Sequence, residues 1–264
     1  MNPLKVLIVA SLVGACASST STAPVDSEGA SSQPFSIPKS PAYDLARRVA
    51  WTAGFDQSPK VKQLDFTFVV EREGKKVFAA QHKWDRVANR ARITWTDKEG
   101  SVNDAVLDVG SRTAKGTVNG EKVVGDRERK LAEDAYGRWI NDTYWFLLPI
   151  KLFDRGSHLQ MAESRDHDGK PHPVLHIRYD GGTGLTSGDE YWLFVDPDAF
   201  RIVRWEMKLE GREGPPRGVS WESYRPVGPL LLAHDHRSDD GTTNVKIEDS
   251  AAHREVKAAD FVLE

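Results

Sequence analysis

The chain has 264 residues, with 36 Lys and Arg against 39 Asp and Glu, a net charge of −3 and a single cysteine. The two signs of charge are interspersed, with no basic stripe of the kind nucleic-acid binders carry. One cysteine rules out an intramolecular disulfide, so stability has to come from core burial, which this length permits.

Lys5 precedes an apolar run over residues 6–13 that only Ser11 interrupts, and Gly14 and Ala15 then lead into Cys16. A positive start, a short apolar run and small residues form a secretory signal, far too short to span a hydrocarbon core of about 30 Å. A cysteine directly after the small residues is the lipobox of a bacterial lipoprotein. Residues 1–15 therefore read as a lipoprotein signal peptide, and Cys16 as the lipidated first residue of the mature protein. Buried acyl chains contribute about 0.8 kcal/mol per methylene, so two or three of them, palmitate included, make a firm anchor. Ala17, where an aspartate would favour the inner membrane, points to the outer membrane, with the domain facing the periplasm. Residues 16–41 are rich in Ser, Thr, Ala and Pro and lack hydrophobic periodicity, which is a flexible tether. The folded domain is expected over residues 42–264, as a monomer.

A helix is predicted next. Ser40 can cap it, Pro41 suits its first turn, Leu45, Val49 and Ala53 recur at four-residue spacing, and Gly54 can stop it. The period then changes to two. In residues 63–71, Leu64, Phe66, Phe68 and Val70 alternate, as in a strand with one buried face. Glu73-Gly74 turns the chain into a strand over 76–87, and further strands follow over 90–97, 101–109 and 112–118. Asn119-Gly120 is a hairpin signal. Residues 126–148 are rich in helix formers, with Leu131, Ala135 and Trp139 on one face and Pro149 expected to end or bend the helix. Strands resume over 157–165, 173–179, 190–195, 201–210, 219–224, 230–237 and 243–249, and a last short strand is expected around Val256 or Phe261. That makes about a dozen strands and two helices, spaced as antiparallel hairpins in a mainly β, α+β domain.

Several segments resemble a known family. Residues 191–196 (YWLFVD) followed by 201–205 (RIVRW), and the closing residues 254–261 (REVKAADF), are similar to the periplasmic lipoprotein carriers and their outer-membrane lipoprotein receptor, the LolA/LolB-like proteins. Residues 141–152 (NDTYWFLLPIKL) and 221–228 (WESYRPVG) resemble a set of bacterial lipoproteins that share this fold. The resemblance implies an antiparallel half-barrel of about eleven strands curled round a central helical insertion. It also implies a non-enzymatic function: binding a lipid, acyl chain or lipoprotein on the concave face. The family's early-strand arginine is matched by Arg90 or Arg92, and the receptor, being anchored, is the nearer comparison.

The eight tryptophans are the most informative side chains. Trp84, Trp95, Trp192, Trp205 and Trp221 fall on predicted strands, and Trp139 and Trp145 on the inserted helix. Trp192 shares a face with Phe194, and Trp205 with Met207. Facing a concavity, these nine side chains would line an apolar pocket; otherwise they fill a core. An interaction module of the cell envelope without a ligand cavity is the alternative. His234 and His236 have the spacing of a metal pair, with Asp239 or Asp240 as a third ligand, which a metal-dependent hydrolase would require. Set against that, alternating polar residues are ordinary on a strand, and Asp166–Gly169 with His172 reads as a solvated hairpin tip. Residues 184–188 (GLTSG) hold serine in the wrong register for a nucleophile elbow, and no helix follows residues 181–184 to receive a phosphate. No catalytic residue, metal or cofactor is assigned.

Overall fold

The computed structural model describes residues 37–181 and 185–263. The signal segment, Cys16, most of the tether and residues 182–184 lie outside the described residues.

Helix α1 (Pro41–Thr52) begins where Ser40 Oγ accepts the Tyr43 amide at 3.4 Å, with Pro41 in the first turn. Ala42, Ala46, Val49 and Ala50 make its buried stripe, while Leu45 is half-buried. Gly54 ends it with φ +89°, and a Cβ there would strike the Pro229 carbonyl, so glycine is required on two counts. A 3-10 turn, Phe55–Lys60, leads into the first sheet.

That sheet contains β1 (Gln63–Arg72), β2 (Lys75–Asp85), β3 (Arg90–Thr96), β4 (Val102–Asp108), β5 (Thr113–Val118) and the short β6 (Glu121–Lys122) as an antiparallel meander. Glu73-Gly74 and Asn119-Gly120 both take positive φ at each residue, the geometry that matches the right-handed twist of a tight hairpin. Helix α2 (Asp126–Lys151) follows. The second sheet then forms from β7 (Ser157–His167), β8 (Lys170–Tyr179), β9 (Glu190–Val195), β10 (Ile202–Lys208) and β11 (Arg217–Ser220). A small hairpin, β12 (Arg225–Val227) and β13 (Leu230–Leu232), precedes β14 (Asp235–Arg237) and β15 (Thr243–His253). The last two return to the first sheet beside β1, giving the order β14-β15-β1-β2-β3-β4-β5-β6. Bridges from Val219 to Ser238 and from Glu222 to Asp235 join the edges of the two sheets. The result is an open antiparallel half-barrel, with β6 at one edge and β7 at the other.

Helix α2 crosses the concave side. Leu131, Ala132, Ala135 and Tyr136 of its first half pack on Ala80, Ala91, Ile93, Trp95, Ala105, Leu107 and Ala114 of β2–β5. Its second half carries Tyr144, Trp145 and Phe146 onto rings from both sheets. Small residues on the strands let the first half lie close. A Cβ built at Gly116 of β5 would fall 2.7 Å from Leu131 Cδ2 and inside contact distance of the Asp104 carbonyl.

Four expectations change. Of the two outcomes expected at Pro149, an end or a bend, the end does not occur: α2 runs to Lys151 because Leu147, Leu148 and Ile150 are buried and tertiary packing outweighs the lost amide. The strand expected over 230–237 is broken into β13 and β14 and pairs on two sides. β1 is buried on both faces, not one, with Thr67 and Val69 buried as well as Phe66 and Phe68. The C-terminal segment is a 3-10 turn, Ala258–Phe261, docked on the outer face of β1–β3 instead of a strand. There Asp260 accepts from Gln63 at 2.8 Å and Lys83 at 2.5 Å.

Gly116→Ala is expected to destabilise the domain by about 1–3 kcal/mol through overpacking between β5 and α2. Gly181→Ala, where nothing lies within 4 Å of the added carbon, should stay within about 0.5 kcal/mol. Urea unfolding of the two variants checks this, and equal midpoints would refute the close approach.

Candidate functional site

The site is the seam between α2 and the concave faces. Strand alternation selects what enters it. From β2 come Phe78, His82 and Trp84; from β3, Trp95; from β9 and β10, Tyr191, Trp205 and Met207. Helix α2 supplies Arg138, Trp139, Asp142, Tyr144 and Trp145, and Trp221 and His236 close one end.

At the centre His82 Nε2 lies 2.7 Å from Asp142 Oδ2, and neither side chain has more than 2% exposure. A carboxylate only accepts, so the imidazole donates. Asp142 Oδ1 takes a second hydrogen bond from Asn141 at 2.8 Å. The His82 ring stacks on Phe66, with centroids 4.5 Å apart and planes 4° apart.

Aromatic groups flank this pair on both sides. Towards the start of α2, Trp84 and Trp139 meet edge to face at 5.3 Å, and Tyr136 stacks on Trp139 at 6.1 Å. The Arg138 guanidinium sits over Phe78 at 4.4 Å and Trp95 at 5.0 Å. Burial lowers the Arg138 pKa, against a raising influence from Asp142, Asp134 and Asp97. Towards the end of α2, Trp145 packs edge-on against Trp205 at 4.7 Å, and Trp205 against Trp221 at 5.5 Å. Tyr144 bonds Tyr179 through their hydroxyls at 2.5 Å, and burial raises the Tyr144 pKa well above its usual value.

The polar atoms of this seam are poorly served. The indole nitrogens of Trp84, Trp139, Trp205 and Trp221, and Nε of Arg138, are buried without a hydrogen-bond partner. Each such group costs about 1–3 kcal/mol. His236 is 1% exposed between Trp145 and Trp221, and neither of its ring nitrogens makes a full hydrogen bond. Burial pushes its pKa down to about 3, against weaker raising influences from the Ser220 backbone and Asp235.

The structure divides the nine expected pocket residues. Trp84, Trp95, Trp139, Trp145, Trp205, Met207 and Trp221 come together in the seam or its walls. Trp192 and Phe194 do not, because they alternate with Tyr191 and Leu193 and face away from α2. Trp192 stacks on His176 at 4.6 Å, and the Arg165 and Arg204 guanidinium groups lie over Phe194 at 5.8 and 5.6 Å. The side chains pack the seam closely. A cleft of about 10 Å³ lies at the far end of α2, between Val49, Pro149, Ile202 and Tyr224, and one of about 250 Å³ lies away from the helix. Arg90 and Arg92 sit on the outer face, against Asp85 and Asp104, so the buried guanidinium of the seam is that of Arg138 on the helix. Sequence reasoning missed Arg138, His82 and Asp142. The four-residue step from Arg138 to Asp142 on the inserted helix was the one signal available.

His234 and His236 do not act as a ligand pair. His234 Nδ1 meets the Leu232 carbonyl at 2.9 Å and Nε2 meets Ser250 Oγ at 2.8 Å, while Asp239 is taken by Arg204. No three metal-ligating side chains converge among the described residues. His172, expected at a solvated tip, is buried and stacked edge-on with His167.

No protein-family model matches the sequence, and no curated protein matches it. Solved structures do match. A LolA superfamily protein from Nitrosomonas europaea aligns with a TM-score of 0.50 at 10% identity, covering 84% of this chain and 97% of that one. The fold is LolA-like. A DUF1329 family protein from Desulfovibrio piger aligns with a TM-score of 0.48 at 11% identity, over 85% of this chain and 98% of the other.

Removing the carboxylate in Asp142→Ala leaves the His82 donor buried without its acceptor, and is expected to cost about 1–3 kcal/mol in urea unfolding. A loss under about 1 kcal/mol would show that the pair does not hold α2. His236 gives a pH signature. In the unfolded chain it protonates near the ordinary value of 6.5, but in the folded chain only near 3. Stability is therefore expected to fall with pH from about 6.5 towards 3, by up to roughly 1.4 kcal/mol per pH unit from this group. His236→Phe should flatten that slope, and an unchanged slope would count against it.

Proposed function

We propose that the chain is a non-enzymatic, membrane-anchored protein of the periplasm that binds an acyl chain, carried by a lipid or a lipoprotein, between α2 and the half-barrel. Cys16 supplies the anchor, in the outer membrane, and the tether gives the domain its reach. The observation that carries the reading is the seam itself: aromatic walls, with four buried indole donors and one guanidinium nitrogen left unpartnered. An apolar chain would replace ring-to-ring packing by ring-to-methylene packing at about 25 cal/mol per Å² buried. Its ester or amide carbonyls would offer acceptors to donors that now have none.

Entry requires α2 to move, and its first half is the mobile part. That half packs on four alanines (Ala80, Ala91, Ala105 and Ala114) together with Ile93, Trp95 and Leu107. The second half is locked by large rings. Asp142 and His82 stand at the boundary and act as the pivot. The filled seam also favours a second reading, an envelope interaction module that never opens, whose free β7 edge could pair with an extended partner strand.

The experiment uses the full chain carrying Cys16→Ser, analysed by mass spectrometry for co-purifying lipid and titrated with palmitate or an acylated peptide while tryptophan emission is followed. The expected result is saturable binding with an emission change, weakened about tenfold by Trp139→Ala. No retained lipid and no emission response would overturn acyl binding in favour of the interaction module.

A further inference from the structure

A second concavity lies away from the seam, at the end of the first sheet where β1 begins and β15 ends. It has a volume of about 250 Å³, with walls from Lys60, Val61, Pro229, Ala252, His253 and Arg254, and Gly228 at its rim. None of these is acidic. The volume falls below the about 300–1,000 Å³ of drug-sized sites, which suits a small anion or a headgroup.

One wall is set by backbone. The tip of the β12–β13 hairpin, Gly228-Pro229, presses against β15, and a Cβ at Gly228 would lie 2.9 Å from that of Ala252. At Gly54 a Cβ would meet the Pro229 carbonyl at 2.5 Å and Leu230 Cα at 3.2 Å. Both glycines have positive φ, so these contacts, and the cleft they bound, depend on glycine.

The donors are available. Lys60 Nζ gives one hydrogen bond, to Gln57 Oε1 at 2.6 Å, leaving two N–H groups. His253 is oriented by Asp65, with Nε2 to Oδ2 at 2.9 Å, so Nδ1 remains as its other polar atom. Arg254 is exposed and, among the described residues, forms no ion pair; its forked guanidinium matches phosphate oxygens. Lys62, whose Nζ meets the Pro59 carbonyl at 2.9 Å, adds positive potential beside the cleft. Of the nearby acids, Asp65 is occupied by His253 and Gln63, and Glu255, next to Arg254 in the chain, is exposed to solvent. Trp51, 43% exposed, stacks on Phe55 at 5.0 Å, at the start of the turn that carries Lys60.

We propose that this cleft binds a phosphate group, free or as the headgroup of a phospholipid, through Lys60 and Arg254 with His253 as a third contact. The site is separate from the acyl seam, so the two readings stand or fall independently.

The test uses the full chain with Cys16→Ser, titrated calorimetrically with inorganic phosphate and glycerol 3-phosphate, and sedimented with phosphatidylglycerol vesicles. Lys60→Ala/Arg254→Ala is compared with Lys75→Ala/Lys98→Ala, which removes the same charge at the opposite end of the sheet. The expected result is saturable glycerol 3-phosphate binding that the first pair weakens about tenfold or more, and the second by no more than about twofold. Matching loss of vesicle binding identifies the lipid as the source of the phosphate, whereas phosphate binding without vesicle binding identifies the free anion. Both support the site. No saturable binding of either phosphate, or equal loss in the two double variants, would overturn it. Palmitate binding is expected to be the same in all of these variants.

Discussion

The hydrogen bond between His82 and Asp142 decides how the rest of the domain fits together. An open sheet needs something to cover its concave face, and here the cover is a single helix of 26 residues. Apolar packing on alanines, Ile93, Trp95 and Leu107 is not directional and does not by itself fix the register of a helix. A buried carboxylate does, because leaving its one imidazole partner would strand a polar group on each side. The stack of His82 on Phe66 then holds the ring from below. The register of α2 on β2, and the division of the helix into two unlike halves, follow from that position.

The unlike halves give the fold its functional asymmetry. Before Asp142 the interface mixes alanines with Ile93, Leu107, Trp95 and Leu131. After it the interface is tryptophan and tyrosine on tryptophan, with Pro149 inside the helix. Interlocked rings resist separation, and alanine surfaces part with little loss of packing. The unpartnered donors lie on both sides of the boundary, so a ligand entering from the first half would meet Arg138 and the Trp84–Trp139 pair before it reached Trp205.

The outer face follows different chemistry. Arg165, Arg204 and His176 cover Phe194 and Trp192, and the C-terminal turn ties down Gln63, Lys83 and Arg92. Cations over aromatic rings shield apolar surface from water without closing a second core. This explains how Phe194 is buried although it points away from the helix.

The sequence by itself determined the local structure. Ser40-Pro41 set the start of α1, the two hairpin dipeptides needed positive φ, and the change of period from about four to two separated helix from strand. The pairing of Trp205 with Met207, and of Trp192 with Phe194, was also legible, because alternation is a local property of the chain. Which face turned inward was not. That depended on α2 covering one side of the sheet and the arginines the other, and both faces of β9 are apolar enough for either. Pro149 inside a helix, the break between β13 and β14, and the meeting of His82 with Asp142 were likewise decided only by tertiary structure. Each balances a local preference against burial that exists only once distant segments have come together, 60 residues apart in the case of that pair.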